Sequence, residues 1–228
     1  MKDAATFRRT AAAVGLAGAV ITSTAWTLLE PPFPADYGER LAAIDAGGAG
    51  ATASAVLFAV SQVFMLAAVL GIAHLIRDRA PLLSNLGATL SVIGVLGHAV
   101  FAGSMLMTVT MAADAAHREL YAGLIEDFES SPMMIFAACG LLGTVLGLLL
   151  LSIGLFRSRV VPRWIPALLW AFLVIEFVGT ALSDFATYAA VLSLAIAFGA
   201  LALHVWQTPR DDWEVGHPAS GGRLPAPA

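Results

Sequence analysis

The chain has 228 residues, of which 59% are hydrophobic and only 12% charged, and its mean hydropathy is +0.83. So few charged side chains could not cover the surface of a soluble domain, and the composition therefore predicts an integral membrane protein. The formal net charge of −4 and the lack of a basic tail argue against a nucleic-acid partner. Cys139 is the single cysteine, so an intramolecular disulfide is excluded.

Six apolar runs are each long enough to cross a hydrocarbon core of about 30 Å, which requires roughly 20 helical residues. The runs are continuous rather than alternating, which predicts helices. We expect an all-α bundle with spans near 11–29, 53–76, 84–112, 133–156, 164–183 and 186–206. Residues 1–207 would form one transmembrane domain, followed by a Pro- and Gly-rich segment, 208–228, predicted to be a disordered tail.

The basic residues are distributed very unevenly between the two sides of this predicted bundle. Only Arg40 and Arg118 fall on one side, and ten of the twelve Lys and Arg residues fall on the other: Lys2, Arg8, Arg9, Arg77, Arg79, Arg157, Arg159, Arg163, Arg210 and Arg223. The positive-inside rule then places both termini in the cytoplasm. Arg in place of Lys, beside abundant Ala and Gly, suggests a high-GC bacterial genome and thus a bacterial inner (cytoplasmic) membrane.

The first span has an alternative interpretation as a secretory signal. Basic residues precede its apolar run, and Ser23, Thr24 and Ala25 resemble the small residues of a cleavage site. The apolar run nevertheless continues through Trp26 and Leu28, which favours a retained span.

The side with only two basic residues is rich in Asp and Glu. Two connections on this acidic side are predicted to contain short amphipathic helices, in 36–45 after a cap at Asp36 and in 115–129 with a stripe of Leu120, Leu124 and Phe128. Such helices usually lie on the membrane surface. The alternative is that they form a lid over an outward-facing cavity.

Small residues line one face of the third span and one face of the fourth. Gly87, Gly94 and His98 share the first of these faces, and Gly143 and Gly147 share the second. Small residues let membrane helices approach closely, so we predict helix packing at these positions.

A layer of polar side chains is predicted near the middle of the membrane. Counting about 1.5 Å of rise per residue places Glu176 about 18 Å and His98 about 21 Å from one boundary, and Gln62 about 16 Å from the other. Thr144 falls at a comparable depth. Because buried charges need partners, we predict that Glu176 and His98 pair, either to fix helix register or to form a proton, ion or substrate site.

Two other sets of residues are weaker candidates. His74 and His204 lie near the same membrane boundary and could ligate haem, although histidines at helix ends commonly sit at the interface. Asp114 and His117, spaced i, i+3, could bind a divalent ion, although a solvated acidic face is the simpler interpretation. We predict no cofactor and no catalytic residue.

The segment Gly94–Val95–Leu96–Gly97–His98 with Gly103, and the segment from Arg157 through Trp164–Ile165–Pro166, resemble small six-span proteins of high-GC bacteria known only as domains of unknown function. The resemblance covers most of residues 10–207 in hydropathy and loop placement. It implies an integral membrane protein with no established reaction.

Three classes of function therefore remain open. The first is a structural or accessory protein whose partners are the lipid bilayer and another membrane protein or a second copy of the chain. The second is a small transporter or proton-coupled carrier that uses Glu176 and His98. The third is a membrane oxidoreductase or other enzyme.

Overall fold

The computed structural model describes residues 2–183 and 185–215, and these residues form helices joined by short connections. The helices are α1 (Lys2–Leu29), α2 (Tyr37–Ile76), α3 (Pro81–Ala112), α4 (Arg118–Glu129), α5 (Ile135–Ser158), α6 (Trp164–Val174), α7 (Phe185–Gln207) and α8 (Arg210–Val215). A π-helical turn, Ile175–Gly179, continues α6. Five helical segments are long and apolar enough to cross a membrane, whereas Trp164–Gly179 is a shorter apolar helix.

The ends of the helices follow from local sequence. Three prolines, at positions 31, 32 and 34, come directly after α1, and Asp36 caps α2 by accepting a hydrogen bond of 2.8 Å from the Glu39 N–H. Pro81 begins α3, where its missing N–H costs nothing. Gly48 has φ +50° and ψ −125°, which lie outside the helical range, so α2 is kinked there into a short first arm and a long second arm. A positive φ is strained for any residue with a Cβ, which is why glycine suits this position.

Six helices pack in a closed ring, in the order α1, α2, α3, α5, α6 and α7, and α7 returns to α1. α2 also contacts α5 across the ring. We call one end of the ring the basic end; it carries the start of α1, the connections 77–80 and 159–163, and α8. The other, the acidic end, carries the connections 30–36 and 113–134.

α3 and α5 form the closest of these contacts, along the predicted small-residue stripes. A Cβ on Gly94 would lie 2.4 Å from the Thr144 backbone nitrogen, and one on Gly147 would lie 2.4 Å from the Ser91 backbone nitrogen. Since real Cβ atoms do not approach other atoms so closely, the two backbones can meet here only without side chains. The prediction that these glycines mediate helix packing is confirmed.

The fully buried apolar core is concentrated in the half of the bundle nearer the basic end. It includes Leu16, Ile72, Leu151 and Phe198, all with no exposed surface, and Trp213 of α8, which is 3% exposed. α1 supplies part of this core, so loss of the first helix would uncover α2 and α7. The acidic half, by contrast, contains a cavity.

The structure differs from the sequence predictions at two places. The predicted fifth span, 164–183, is helical only to Gly179, because its last turn widens into the π-helical turn and the chain then turns towards α7. The predicted disordered tail, 208–228, begins with an ordered helix, α8, since Trp213 is buried against α2; residues 216–228 lie outside the described residues.

Candidate ligand cavity at the acidic end

The predicted polar layer is divided between two sides of the ring. His98 Nδ1 lies 3.2 Å from Thr144 Oγ1, so this pair joins α3 to α5. Gln62 Nε2 donates within α2, to the Phe58 carbonyl at 3.2 Å and to Ser61 Oγ at 3.0 Å. The contact between His98 and Thr144 therefore lies between two helices, whereas the two Gln62 bonds stay within one helix.

The predicted pair between Glu176 and His98 is not formed: no hydrogen bond or ion pair of the described residues joins them. α3 packs on α2 and α5, whereas the π-helical turn that carries Glu176 packs on α6 and α7. Residue counts predict a similar depth for the two residues, but the ring order places their helices apart.

Glu176 instead interacts electrostatically with another acidic residue, Glu30, which follows the end of α1. Burial raises the pKa of Glu30 to about 7, and repulsion from the Glu176 carboxylate contributes to the increase. Glu30 is therefore about half protonated at neutral pH.

Glu30 lies in the wall of a cavity of about 330 Å³ at the acidic end. The wall is made by the connection after α1, the first part of α2, the last part of α3, and α4. Its largest apolar side chains are Phe33, Phe101, Met105, Met107, Met111 and Phe128. Methionine side chains are flexible and polarisable, so such a wall adapts to apolar ligands of different shape.

α4 covers this cavity. Leu124, Ile125 and Phe128 of its apolar face line the cavity, while Glu126 and Asp127 are exposed. Short 3₁₀ turns, Ala115–His117 and Pro132–Met134, precede and follow the helix. The structure thus places the second predicted amphipathic helix as a lid, which was the alternative to a helix lying on the membrane surface.

The lid is held closed by a group of residues that we call the clasp: Phe33, Tyr37, Arg40 and Glu129. Arg40 Nη1 donates to Glu129 Oε1 at 3.0 Å, and the Tyr37 hydroxyl donates to Glu129 Oε2 at 2.8 Å. The guanidinium carbon of Arg40 also lies 3.8 Å from the centre of the Phe33 ring. The Arg40 side chain is only 11% exposed, so the ion pair is weakly screened by solvent.

A second ion pair joins the lid to the first arm of α2, between Arg118 Nη2 and Asp45 Oδ2 at 3.0 Å. The two basic residues of the acidic end, Arg40 and Arg118, therefore both bind the lid to α2. Charge counts alone had marked them only as exceptions to the Arg asymmetry. Their isolation among acidic residues is the signal that would have indicated ion pairs between the two connections.

The weak metal candidates, Asp114 and His117, bind each other. His117 Nδ1 lies 2.9 Å from Asp114 Oδ2, and the Tyr121 hydroxyl donates to the same oxygen at 3.3 Å. The hydrogen bond with His117 lowers the pKa of Asp114. Among the described residues, no group of three or more His, Cys, Asp or Glu side chains is arranged to hold a metal ion.

The weak haem candidates, His74 and His204, lie beside α8 at the basic end. His74 Nε2 lies 2.9 Å from the Trp213 carbonyl oxygen, and the two rings stack with centres 4.4 Å apart. The cavity between His74 and His204 is only about 20 Å³, which is room for about one water molecule. A haem does not fit between these residues.

The chain was compared with protein families, with curated proteins and with solved structures, and one of the three comparisons finds a match. A family model described as "Domain of unknown function (DUF4386)" matches residues 10–207. No curated protein and no solved structure matches the chain. The resemblance inferred from the sequence is confirmed, and no functional residue is transferred from it.

Proposed function

We propose that this chain, which belongs to the DUF4386 family of unknown function, is a six-span membrane protein. Its proposed role is to bind a small apolar or amphiphilic molecule under the α4 lid. The cavity of about 330 Å³ at the acidic end is the observation that supports this role. A binding function of this kind agrees with the accessory role predicted from the sequence.

The proposed topology has six crossings, with both termini in the cytoplasm. α6 packs against α7, and only five residues separate Gly179 from Phe185, so α6 and its π-helical turn must return the chain to the end where α7 begins. A helix of 16 residues is about 24 Å long, which a locally thinned bilayer accommodates. The basic end then faces the cytoplasm by the positive-inside rule.

Size and composition favour an apolar ligand. Binding pockets for small molecules usually measure about 300–1,000 Å³ and are mainly apolar, with a few polar groups that set orientation. Here the polar groups are few: the carboxylates of Glu30 and Glu129, the Arg40 guanidinium and the hydroxyls of Ser54, Ser104 and Thr108. The cavity therefore fits a molecule with one polar end.

The packing of the bundle favours binding over transport. A carrier needs a path from the cavity to the opposite side, yet the half nearer the basic end is filled by fully buried side chains such as Ile76, Leu155 and Val205. Residues of the clasp and the lid can rearrange at the acidic end without disturbing this core. The carrier alternative would require the whole ring to open.

Saturable photolabelling tests the binding site. Protein in zwitterionic nanodiscs is labelled with a diazirine-bearing decanol, an uncharged probe, in competition with unlabelled decanol. We expect competed label in the peptides that contain Met105, Met107 and Phe128. Ser104→Phe should fill the cavity and abolish the competed fraction, whereas Ser193→Phe, at a half-buried control position on α7 outside the cavity, should leave it unchanged. Equal saturable labelling of both variants would refute the site.

The orientation has its own test. In a Cys139→Ala background, Ser130→Cys at the acidic end and Arg210→Cys at the basic end are both exposed positions. A membrane-impermeant maleimide should label the first variant in intact cells and the second only after lysis. The reverse pattern would invert the proposed topology.

A further inference from the structure

The cavity wall contains one carboxylate that has no cationic partner within 2–183 and 185–215. Three ionisable side chains line it: Glu30, Arg40 and Glu129. Arg40 already has partners of its own: Nη1 donates to Glu129 Oε1 at 3.0 Å and Nε donates to the Pro34 carbonyl at 3.3 Å. Glu30 forms no ion pair among the described residues.

The second carboxylate near this position makes the charge deficit larger. Glu176, on the π-helical turn, repels Glu30 and is itself without an ion-pair partner among the described residues. α3 adds only non-ionisable side chains to the wall. The polar corner of the cavity therefore favours a positive charge.

We propose that the cavity binds a cationic amphiphile, a molecule with an ammonium headgroup and a short alkyl chain, with the headgroup against Glu30 and the chain along the methionines of α3. This inference rests on the proposed binding function and adds the charge of the ligand to it. The rings of Phe101 and Phe128, which also line the cavity, suit a cation because aromatic faces attract positive charge.

The volume of the cavity limits the size of the ligand. An apolar cavity of about 150 Å³ holds one benzene, with six carbons, so a cavity of about 330 Å³ has room for roughly a dozen non-hydrogen atoms. Octyltrimethylammonium has this size and a charge that does not titrate. Octyl sulfate has the same chain and the opposite charge, so the two probes differ mainly in the sign of the headgroup.

Competition against the decanol photolabel measures the preference for charge. We expect octyltrimethylammonium to displace the label at a concentration at least roughly tenfold lower than octyl sulfate, since Coulomb attraction to a partly buried carboxylate is worth about one factor of ten or more in affinity. Glu30→Gln should remove this preference. Glu119→Gln, which removes an exposed carboxylate on α4 outside the cavity, should retain it.

The dependence on pH provides a second measurement on the unmodified protein. Glu30 gains negative charge as the pH rises through about 7, so the quaternary ammonium should bind more tightly at about pH 8.5 than at about pH 5.5. Glu176→Gln removes the repelling carboxylate and should move the midpoint of this change to lower pH. Arg40 and Glu129, the other charged groups in the wall, form an ion pair with each other at 3.0 Å.

The outcomes separate the two proposals. Equal displacement by both probes, or a cation preference that survives in Glu30→Gln, would overturn the assignment of a cationic ligand while leaving the cavity as a binding site. Saturable decanol labelling that Ser104→Phe does not affect would overturn the binding site itself. Displacement by the cation alone, lost in Glu30→Gln and kept in Glu119→Gln, supports both.

Discussion

Gly94→Ala should destabilise the bundle at the contact between α3 and α5. The added Cβ would lie 2.4 Å from the Thr144 backbone nitrogen and 2.6 Å from Thr144 Oγ1, so α5 would have to retreat by about 1 Å to restore ordinary contact at 3.4 Å. The obstacle is backbone, which cannot rotate away as a flexible side chain can. Overpacking of this kind costs about 1–3 kcal/mol, and the rigid partner places Gly94→Ala near the upper end of that range.

Gly103→Ala is the matched control on the same helix. A Cβ there has no atom within 4 Å, so the substitution should bring only the gain in helix propensity of Ala over Gly, about 1 kcal/mol. The same gain offsets part of the clash at Gly94, which leaves a net loss of about 2 kcal/mol for that variant. The two variants should therefore differ by about 3 kcal/mol in the free energy of unfolding.

Reversible unfolding in mixed micelles of sodium dodecyl sulfate and dodecyl maltoside, followed by circular dichroism, measures this difference. The imidazole nitrogen signals of His98 should also change in Gly94→Ala, because displacement of Thr144 lengthens their contact of 3.2 Å. If Gly94→Ala unfolds at the same dodecyl sulfate fraction as Gly103→Ala, and the His98 signal is unchanged, the conclusion that the backbones of α3 and α5 meet at Gly94 is refuted.

Two further predictions concern the lid and α8. A double-mutant cycle of Arg40→Met and Glu129→Gln tests the ion pair, with the opening free energy of α4 measured by amide hydrogen exchange. We expect a coupling energy of roughly 1–2 kcal/mol, because the pair is shielded from solvent. Additive effects of the two substitutions would mean that the ion pair does not hold the lid. Trp213→Ala should release α8 and allow trypsin to cleave at Arg210, since the Trp213 side chain is packed on His74 and is only 3% exposed. The control Trp206→Ala, at a 57% exposed position, should not increase cleavage. Equal cleavage of the two variants would contradict the docking of α8.

Much of the fold follows from local sequence. The hydrophobic runs predict the membrane helices, and Asp36 and Pro81 mark where α2 and α3 begin, because capping and proline geometry act within a single turn. The small residues of α3 and α5 likewise predict a close contact, since the absence of side chains is itself the property that permits it. The apolar stripe of α4 predicts an amphipathic helix, although not what that helix covers.

Which polar residues meet is decided by the tertiary structure alone. Residue counts from the membrane boundaries give depth, a single coordinate along the bundle axis, and they predicted that Glu176 and His98 could pair. The ring order supplies the lateral coordinate: it places His98 beside Thr144 and Glu176 near Glu30. Depth follows from the constant rise of a helix, whereas lateral neighbours depend on how six helices pack together, which no single span encodes.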